Sequence, residues 1–280
     1  MQTCDLHTHS NCSDGTLTPE EIVAEAQRLG LAAVVLCDHN TVAGLPRFLA
    51  AAQDSSVEAI PGVELTVDYN GTELHLVALY VKERDFDRIT AFVEVFNERK
   101  DRSNRHLIAA LNAAGYAIDY DAIKASTPNG HFNRARIAAE LTRLGYVSSR
   151  EEAFKTLLSE KAGYYVPPQR PDLWETLAFV LSLGAVPVLA HPLLSLDAAA
   201  LEALLPEAAR RGLVGMECYY SKYTEEKTQT ALRLAQQYGI LPSGGSDFHG
   251  DNKPGIAMGV GYGNLVIPYT WAQALKNAAR

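Results

Sequence analysis

Short apolar runs in this chain repeatedly end on, or lead straight into, a histidine or an acid, and no other feature constrains its fold as tightly. Residues 3–6 lead into His7-Thr8-His9, 32–37 into Asp38-His39, and 57–60 through Pro61-Gly62-Val63 into Glu64. Residues 185–190 lead into His191, and 240–244 into Ser246-Asp247-Phe248-His249. Two further runs, 74–80, entered through a hairpin-like turn at Asn70-Gly71, and 213–218, bring the predicted strands to seven, and His75 lies inside the first of them instead of after it. Continuous apolar runs suit strands covered on both faces, as in a parallel sheet. Helical signals fall between them. Thr18-Pro19-Glu20-Glu21 combines an N-cap, a Pro at the first helical position and a Glu three residues after the cap, and Ile22, Ala26 and Leu29 then recur at helical spacing. Such alternation predicts a parallel sheet, open or closed into a barrel. In a closed barrel the catalytic groups gather at the carboxyl ends of the strands, whose loops converge on one mouth.

The residues so placed are His7, His9, Asp14, His39, Glu64, His75, His191, Asp247 and His249, which include six of the eight histidines. Imidazoles mixed with carboxylates suit Zn, Mn or Fe better than Ca or Mg alone. In His7-x-His9 and Asp247-x-His249, residues two apart on extended chain project together and can reach one ion. Each element alone has an ordinary explanation: Asp14 in Ser13-Asp14-Gly15 as a turn residue, His39 and His191 as loop histidines bonded to backbone, Glu64 as a surface carboxylate. Those explanations predict no common placement at strand ends. The set points to a metal-dependent hydrolase; His106 and His131 fit no ligand pattern.

The region 85–163 breaks the alternation. Phe86, Ile89, Phe92, Val93 and Phe96 recur at helical spacing, a polar window at 97–106 interrupts, and Leu107, Ile108 and Leu111 resume. Further helices are predicted near 134–144 and after the capping box Ser149-Arg150-Glu151-Glu152. The expected organisation is a barrel of 1–84 and 164–280 carrying a helical insertion, 85–163, that covers the mouth and grips substrate. A length of 280 residues accommodates this, since single-domain barrels run to roughly 250 residues. The net charge of −8 argues against broad capture of duplex DNA. Cys4, Cys12, Cys37 and Cys218 show no C-x-x-C spacing and read as packing residues in a reduced cytosol. No apolar run approaches the roughly 18 residues of a membrane span, and the expected location is the cytoplasm, as a monomer or small homo-oligomer.

H-T-H-S-x-x-S-D-G-T at residues 7–16, followed in order by D-H-N, P-G-V-E, H-L-V, A-H-P and G-S-D-F-H, resembles the polymerase and histidinol phosphatase (PHP) superfamily. The resemblance implies a distorted (β/α)7 barrel holding two or three divalent ions, often Mn, Fe or Zn. It implies one ion at His7, His9, Glu64 and Asp247, a second at Glu64, His75 and His191, and a third at Asp14, His39 and His249. Glu64 would bridge the first two. Three carboxylates facing two or three divalent cations leave the site net positive, which favours a phosphate ester over a neutral amide.

Among PHP proteins, standalone chains of this length with a helical insertion resemble nucleoside 3',5'-bisphosphate phosphatases and RNase AM-type enzymes that trim RNA from a 5'-phosphorylated end. The implied reaction is metal-assisted in-line hydrolysis of a phosphomonoester, with His191 or Asp247 protonating the leaving 3'-oxygen. The second phosphate needs cations of its own. Arg99, Arg102 and Arg105, three apart on a predicted helix, Arg134 at a predicted helix start in Asn129-Gly130-His131-Phe132-Asn133-Arg134, and Lys222 after the sixth strand are the candidates. The expected substrate is therefore a small nucleotide or a short RNA 5' end. A histidinol-phosphate-type phosphatase is the enzymatic alternative, and a non-enzymatic metal-binding module is disfavoured by the complete ligand set.

Overall fold

A computed structural model describes residues 2–127 and 132–279. The described part divides into two compact units, residues 1–90 with 170–280, and residues 91–169.

The first unit is built on seven strands: β1 (Cys4–Asp5), β2 (Ala33–Leu36), β3 (Glu58–Tyr69), β4 (Thr72–Leu79), β5 (Val186–Ala190), β6 (Gly215–Tyr220) and β7 (Leu241–Gly245). They hydrogen-bond in chain order. The sheet then curls back on itself. Leu6 N donates to Gly244 O at 3.2 Å, Asp247 N to His7 O at 2.9 Å and His9 N to Phe248 O at 3.0 Å, so the chain after β7 lies against the chain after β1 and the barrel nearly closes. Gly245 permits that approach: a Cβ on it would stand 2.1 Å from the His7 Cβ. Closure encloses a core of Ala33, Val35, Ile60, Val77, Val186, Val188 and Ile267, which explains why β2 and β5 are buried along their whole length.

The sheet is parallel except at β4, where the hairpin-like turn expected at Asn70-Gly71 forms. β4 runs antiparallel to both β3 and β5. The cause is the turn at Asn70-Gly71, where both residues adopt positive φ and fold a two-residue hairpin too short for a helical crossover. β3 also runs well past the apolar stretch that announced it, so Glu64 lies within a strand instead of after one.

Helices complete both units: α1 (Pro19–Arg28), α2 (Leu45–Ala51), α3 (Phe86–Ala113), α4 (Tyr120–Ala125), α5 (Arg134–Arg143), α6 (Arg150–Lys155), α7 (Leu173–Ser182), α8 (Ala198–Arg210), α9 (Glu225–Tyr238) and α10 (Tyr269–Ala278). Thr18 and Glu21 form the expected capping box at the start of α1. The polar window at 97–106 does not break its helix; α3 continues through it for 28 residues. Residues 91–169 carry their own core, in which Leu107, Ile108 and Leu111 of α3 meet Ile137, Ala138 and Leu141 of α5 and Leu158. Residues 129–131 of the motif preceding Arg134 lie outside the described residues. No helix among those described is long and apolar enough to cross a membrane.

Candidate metal centre

His7 and His9 follow β1 on extended chain, and their rings turn to the same side with the two Nε2 atoms 3.0 Å apart. Glu64 reaches them from β3, its Oε2 lying 3.2 Å from each. Asp247, after β7, places Oδ1 3.4 Å from His9 Nε2 and 3.8 Å from His7 Nε2. Four donors, from the ends of β1 and β7 and the middle of β3, thus face one point. The other oxygen of Glu64 serves a second group, with His75 Nδ1 at 2.7 Å and His191 Nε2 at 3.0 Å. A third group forms around Asp14, whose Oδ1 lies 3.1 Å from His249 Nε2 and whose Oδ2 lies 3.9 Å from His39 Nε2. His9 and His39 sit between groups: His9 Nδ1 is 3.9 Å from Asp14 Oδ1, and His39 Nδ1 is 3.0 Å from Glu64 Oε2. All nine side chains are buried or nearly so.

His75 owes its place to strand direction. Because β4 is antiparallel, its beginning, not its end, lies at the mouth, and His75 pairs in register with Ala190, the last residue of β5. Backbone strain collects here too: His191 and Asp247 adopt positive φ, at 29° and 57°, which L side chains rarely do.

Three buried atoms in the cluster, His9 Nδ1, Glu64 Oε2 and His249 Nε2, make no hydrogen bond among the described residues. These atoms have imidazole or carboxylate neighbours but no well-aligned hydrogen bond, and three of them within one constellation of N and O donors mark places that cations would satisfy. The donor chemistry, imidazole with carboxylate, fits Mn, Zn or Fe.

The electrostatics agree. Burial opposes charge on every one of these groups, yet Asp14, Glu64 and Asp247 stay well below the usual carboxylate range, because histidines surround all three and Lys253 stands beside Asp247. The same carboxylates, working against burial, raise His9 and His75 to about 10. At His39 burial prevails, pushing it down to about 3. Divalent cations at the foci would take over the charge that these protons carry, since ligation needs ionised carboxylates and neutral imidazoles.

Several residues outside the nine support the cluster. Asp38 accepts from Ser10 N (2.8 Å), Ser10 Oγ (2.6 Å) and Ser13 Oγ (2.6 Å), and so ties down the loop between His9 and Asp14. Asp5 accepts from Ser246 N (2.9 Å) and Ser246 Oγ (2.5 Å), fixing the segment that bears Asp247. Tyr220 Oη (2.8 Å) and Lys253 Nζ (2.5 Å) both donate to Asp247 Oδ2. Glu217, buried in β6, accepts at one oxygen from His191 N (2.7 Å) and lies 2.6 Å from His7 Nδ1 at the other. An acid inside the otherwise apolar run 213–218 was a legible signal for Glu217; nothing in sequence singles out Lys253.

Arg99, Arg102 and Arg105 do not line a single hollow. Arg99 and Arg102 line one hollow with Ser103, His106 and residues 166–169. Arg105 borders a different one, its guanidinium carbon 3.9 Å from the Tyr120 ring centroid and its Nε 3.9 Å from Asp101 Oδ2. The drift of a three-residue spacing around a helix explains the division. Arg134 opens α5 and stacks 4.0 Å from the Tyr165 ring centroid, while its Nη1 donates to Leu158 O at 3.2 Å. Lys222 is exposed just after β6.

The family model described as PHP domain matches residues 5–166. A 5'-3' exoribonuclease of Haemophilus influenzae is 30% identical over 246 residues, which cover 88% of this chain and 89% of that protein. A 3',5'-nucleoside bisphosphate phosphatase of Chromobacterium violaceum is 28% identical over 261 residues, covering 92% and 91%. Among solved structures, a protein of Bifidobacterium adolescentis described as a metal-dependent phosphoesterase is 27% identical and superposes with a TM-score of 0.87 over 100% of this chain and 97% of its own.

Proposed function

The chain belongs to the PHP family and is a metal-dependent phosphoesterase; on that premise we propose that it removes the 3'-phosphate of nucleoside 3',5'-bisphosphates, leaving the nucleoside 5'-monophosphate. The observation that carries this reading is the clustering of nine imidazoles and carboxylates, Glu64 and Asp14 among them, into three adjoining groups. His7, His9, Glu64 and Asp247 would hold one ion, Glu64, His75 and His191 a second, and Asp14, His39 and His249 a third, with Mn the preferred metal.

Bound ions of this kind supply Lewis-acid stabilisation of the phosphoryl oxygens and an acidified water. The chain's own groups do the rest. Asp247 Oδ2 already accepts from Tyr220 and Lys253, and its Oδ1 faces imidazoles, so Asp247 enters the reaction as an acceptor. His191, ligating through the Nε2 that faces Glu64, has no proton there to give either, so the leaving 3'-oxygen would take its proton from solvent water. Arg99, Arg102 and Arg134 are the proposed grip on the uncleaved 5'-phosphate, with Arg105 and Lys222 less engaged.

Support for a substrate with two phosphates comes from the C. violaceum relative, which matches almost the whole chain. The H. influenzae relative favours a second reading, exonucleolytic trimming of short 5'-phosphorylated RNA, on similar coverage. Both readings place one phosphate over the metals and a 5'-phosphate at a distance. The deciding experiment assays Mn-loaded protein on adenosine 3',5'-bisphosphate, a short 5'-phosphorylated RNA and histidinol phosphate. The expected result is the highest kcat/KM on the bisphosphate. A preference for RNA promotes the second reading, and a preference for histidinol phosphate overturns both.

A further inference from the structure

Glu217 is a charged residue where the fold calls for an apolar one. It sits within β6 between Met216 and Cys218, both fully buried, and is itself 1% exposed. A core position filled only for packing would hold a hydrophobic side chain, since burying a carboxylate is unfavourable unless each oxygen finds a partner. Each does find one, and both partners belong to the metal cluster. Oε1 lies 2.6 Å from His7 Nδ1, after β1; Oε2 accepts from the backbone N–H of His191, after β5, at 2.7 Å.

We propose that Glu217 is a positioning residue that sets His7 and His191 together for ligation, coupling the two ion positions that share Glu64. This rests on the reading that these groups hold ions. A carboxylate offers only acceptors, and the His191 N–H can only donate. His7 must then carry its proton on Nδ1, which leaves the Nε2 lone pair aimed at Glu64 Oε2 and Asp247 Oδ1. At His191 the same carboxylate restrains a residue whose φ of 29° is unfavourable for an L side chain, and thereby orients the ring that meets Glu64 Oε1. No contact of this kind links Glu217 to Asp14, His39 or His249 among the described residues.

The replacement Glu217→Gln distinguishes this from plain packing. Glutamine keeps the shape but has one oxygen, so it can serve the His191 N–H or the His7 ring, not both. If it serves His191, its amide faces His7 Nδ1 and favours the tautomer with the proton on Nε2, which cannot ligate. Calorimetric titration with Mn and elemental analysis of the folded variant should show affinity for the two Glu64-linked ions weakened about 10- to 100-fold, with the ion at Asp14, His39 and His249 retained. Full wild-type affinity in Glu217→Gln, or equal loss of all ions, would overturn the proposal. Should the wild type itself bind no ion, the metal reading fails and this one with it. If the variant does not fold, the zinc-loaded wild type decides. Long-range proton–nitrogen NMR should find His7 protonated at Nδ1 and ligated through Nε2; the opposite arrangement would overturn the proposal.

Discussion

The carboxylate of Glu64 stands 2.7 Å from Nδ1 of His75, eleven residues further along the chain, because β3 and β4 form a hairpin that returns His75 to the barrel mouth. The other oxygen of Glu64 lies 3.2 Å from both His7 and His9, so a single carboxylate joins two groups of imidazoles. Replacing Glu64 by Gln removes a charge shared by two ion positions. Turnover should fall by several orders of magnitude while far-UV circular dichroism stays unchanged, because the apolar strands hold the fold. A variant retaining more than about a tenth of the wild-type rate would show that Glu64 does not bridge.

Much of this was legible in the sequence, for identifiable reasons. Strand ends announce themselves when an apolar run meets a histidine, and His7, His9, His39, His191 and Asp247 all read that way. His75 read as misplaced because strand direction, unlike strand existence, depends on how the chain turns; the Asn70-Gly71 signal held that information. Glu217, an acid inside an apolar run, and Asp38, the first residue of D-H-N, act through other residues, so their sequence signals do not say what they hold, and Lys253 reaches Asp247 from a loop whose path only the folded chain defines. The arginine stripe drifts around the helix, as its three-residue spacing requires, so that Arg105 ends beside Tyr120 in a different hollow from Arg99 and Arg102.

Arg134 offers a test that separates grip from chemistry. If it binds the uncleaved phosphate, Arg134→Ala should lower kcat/KM on a 3',5'-bisphosphate about ten- to a hundredfold more than on the matching 3'-monophosphate, as loss of a charge-assisted contact implies. Its stacking on Tyr165 means the variant should also melt somewhat lower, which thermal denaturation would register. Equal kinetic losses on both substrates would assign Arg134 to the fold of residues 91–169 alone.

Acid stability has a local probe at the start of β3. Burial pushes the Glu58 carboxyl up, but hydrogen bonds from Lys276 Nζ and Tyr269 Oη, each 2.6 Å, outweigh burial and hold it below its usual range. A carboxyl lower in the folded than in the unfolded chain stabilises fully above the unfolded value, about 4.3, and loses that contribution as pH falls through the folded value. Lys276 is 58% exposed, so solvent limits the effect to less than about 1 kcal/mol. The melting temperature of Glu58→Gln should therefore lie slightly below wild type at pH 7, and the gap should close towards pH 3. A gap that widens on acidification would reverse the assignment.

The account rests above all on the nine clustered residues, Glu64 and Asp14 among them, being ligands, and elemental analysis of the purified, Mn-supplemented protein tests that most directly. Two or three divalent ions per chain are predicted, with phosphatase activity lost on chelation and restored by Mn. One ion or fewer per chain, or activity indifferent to chelation, would contradict it.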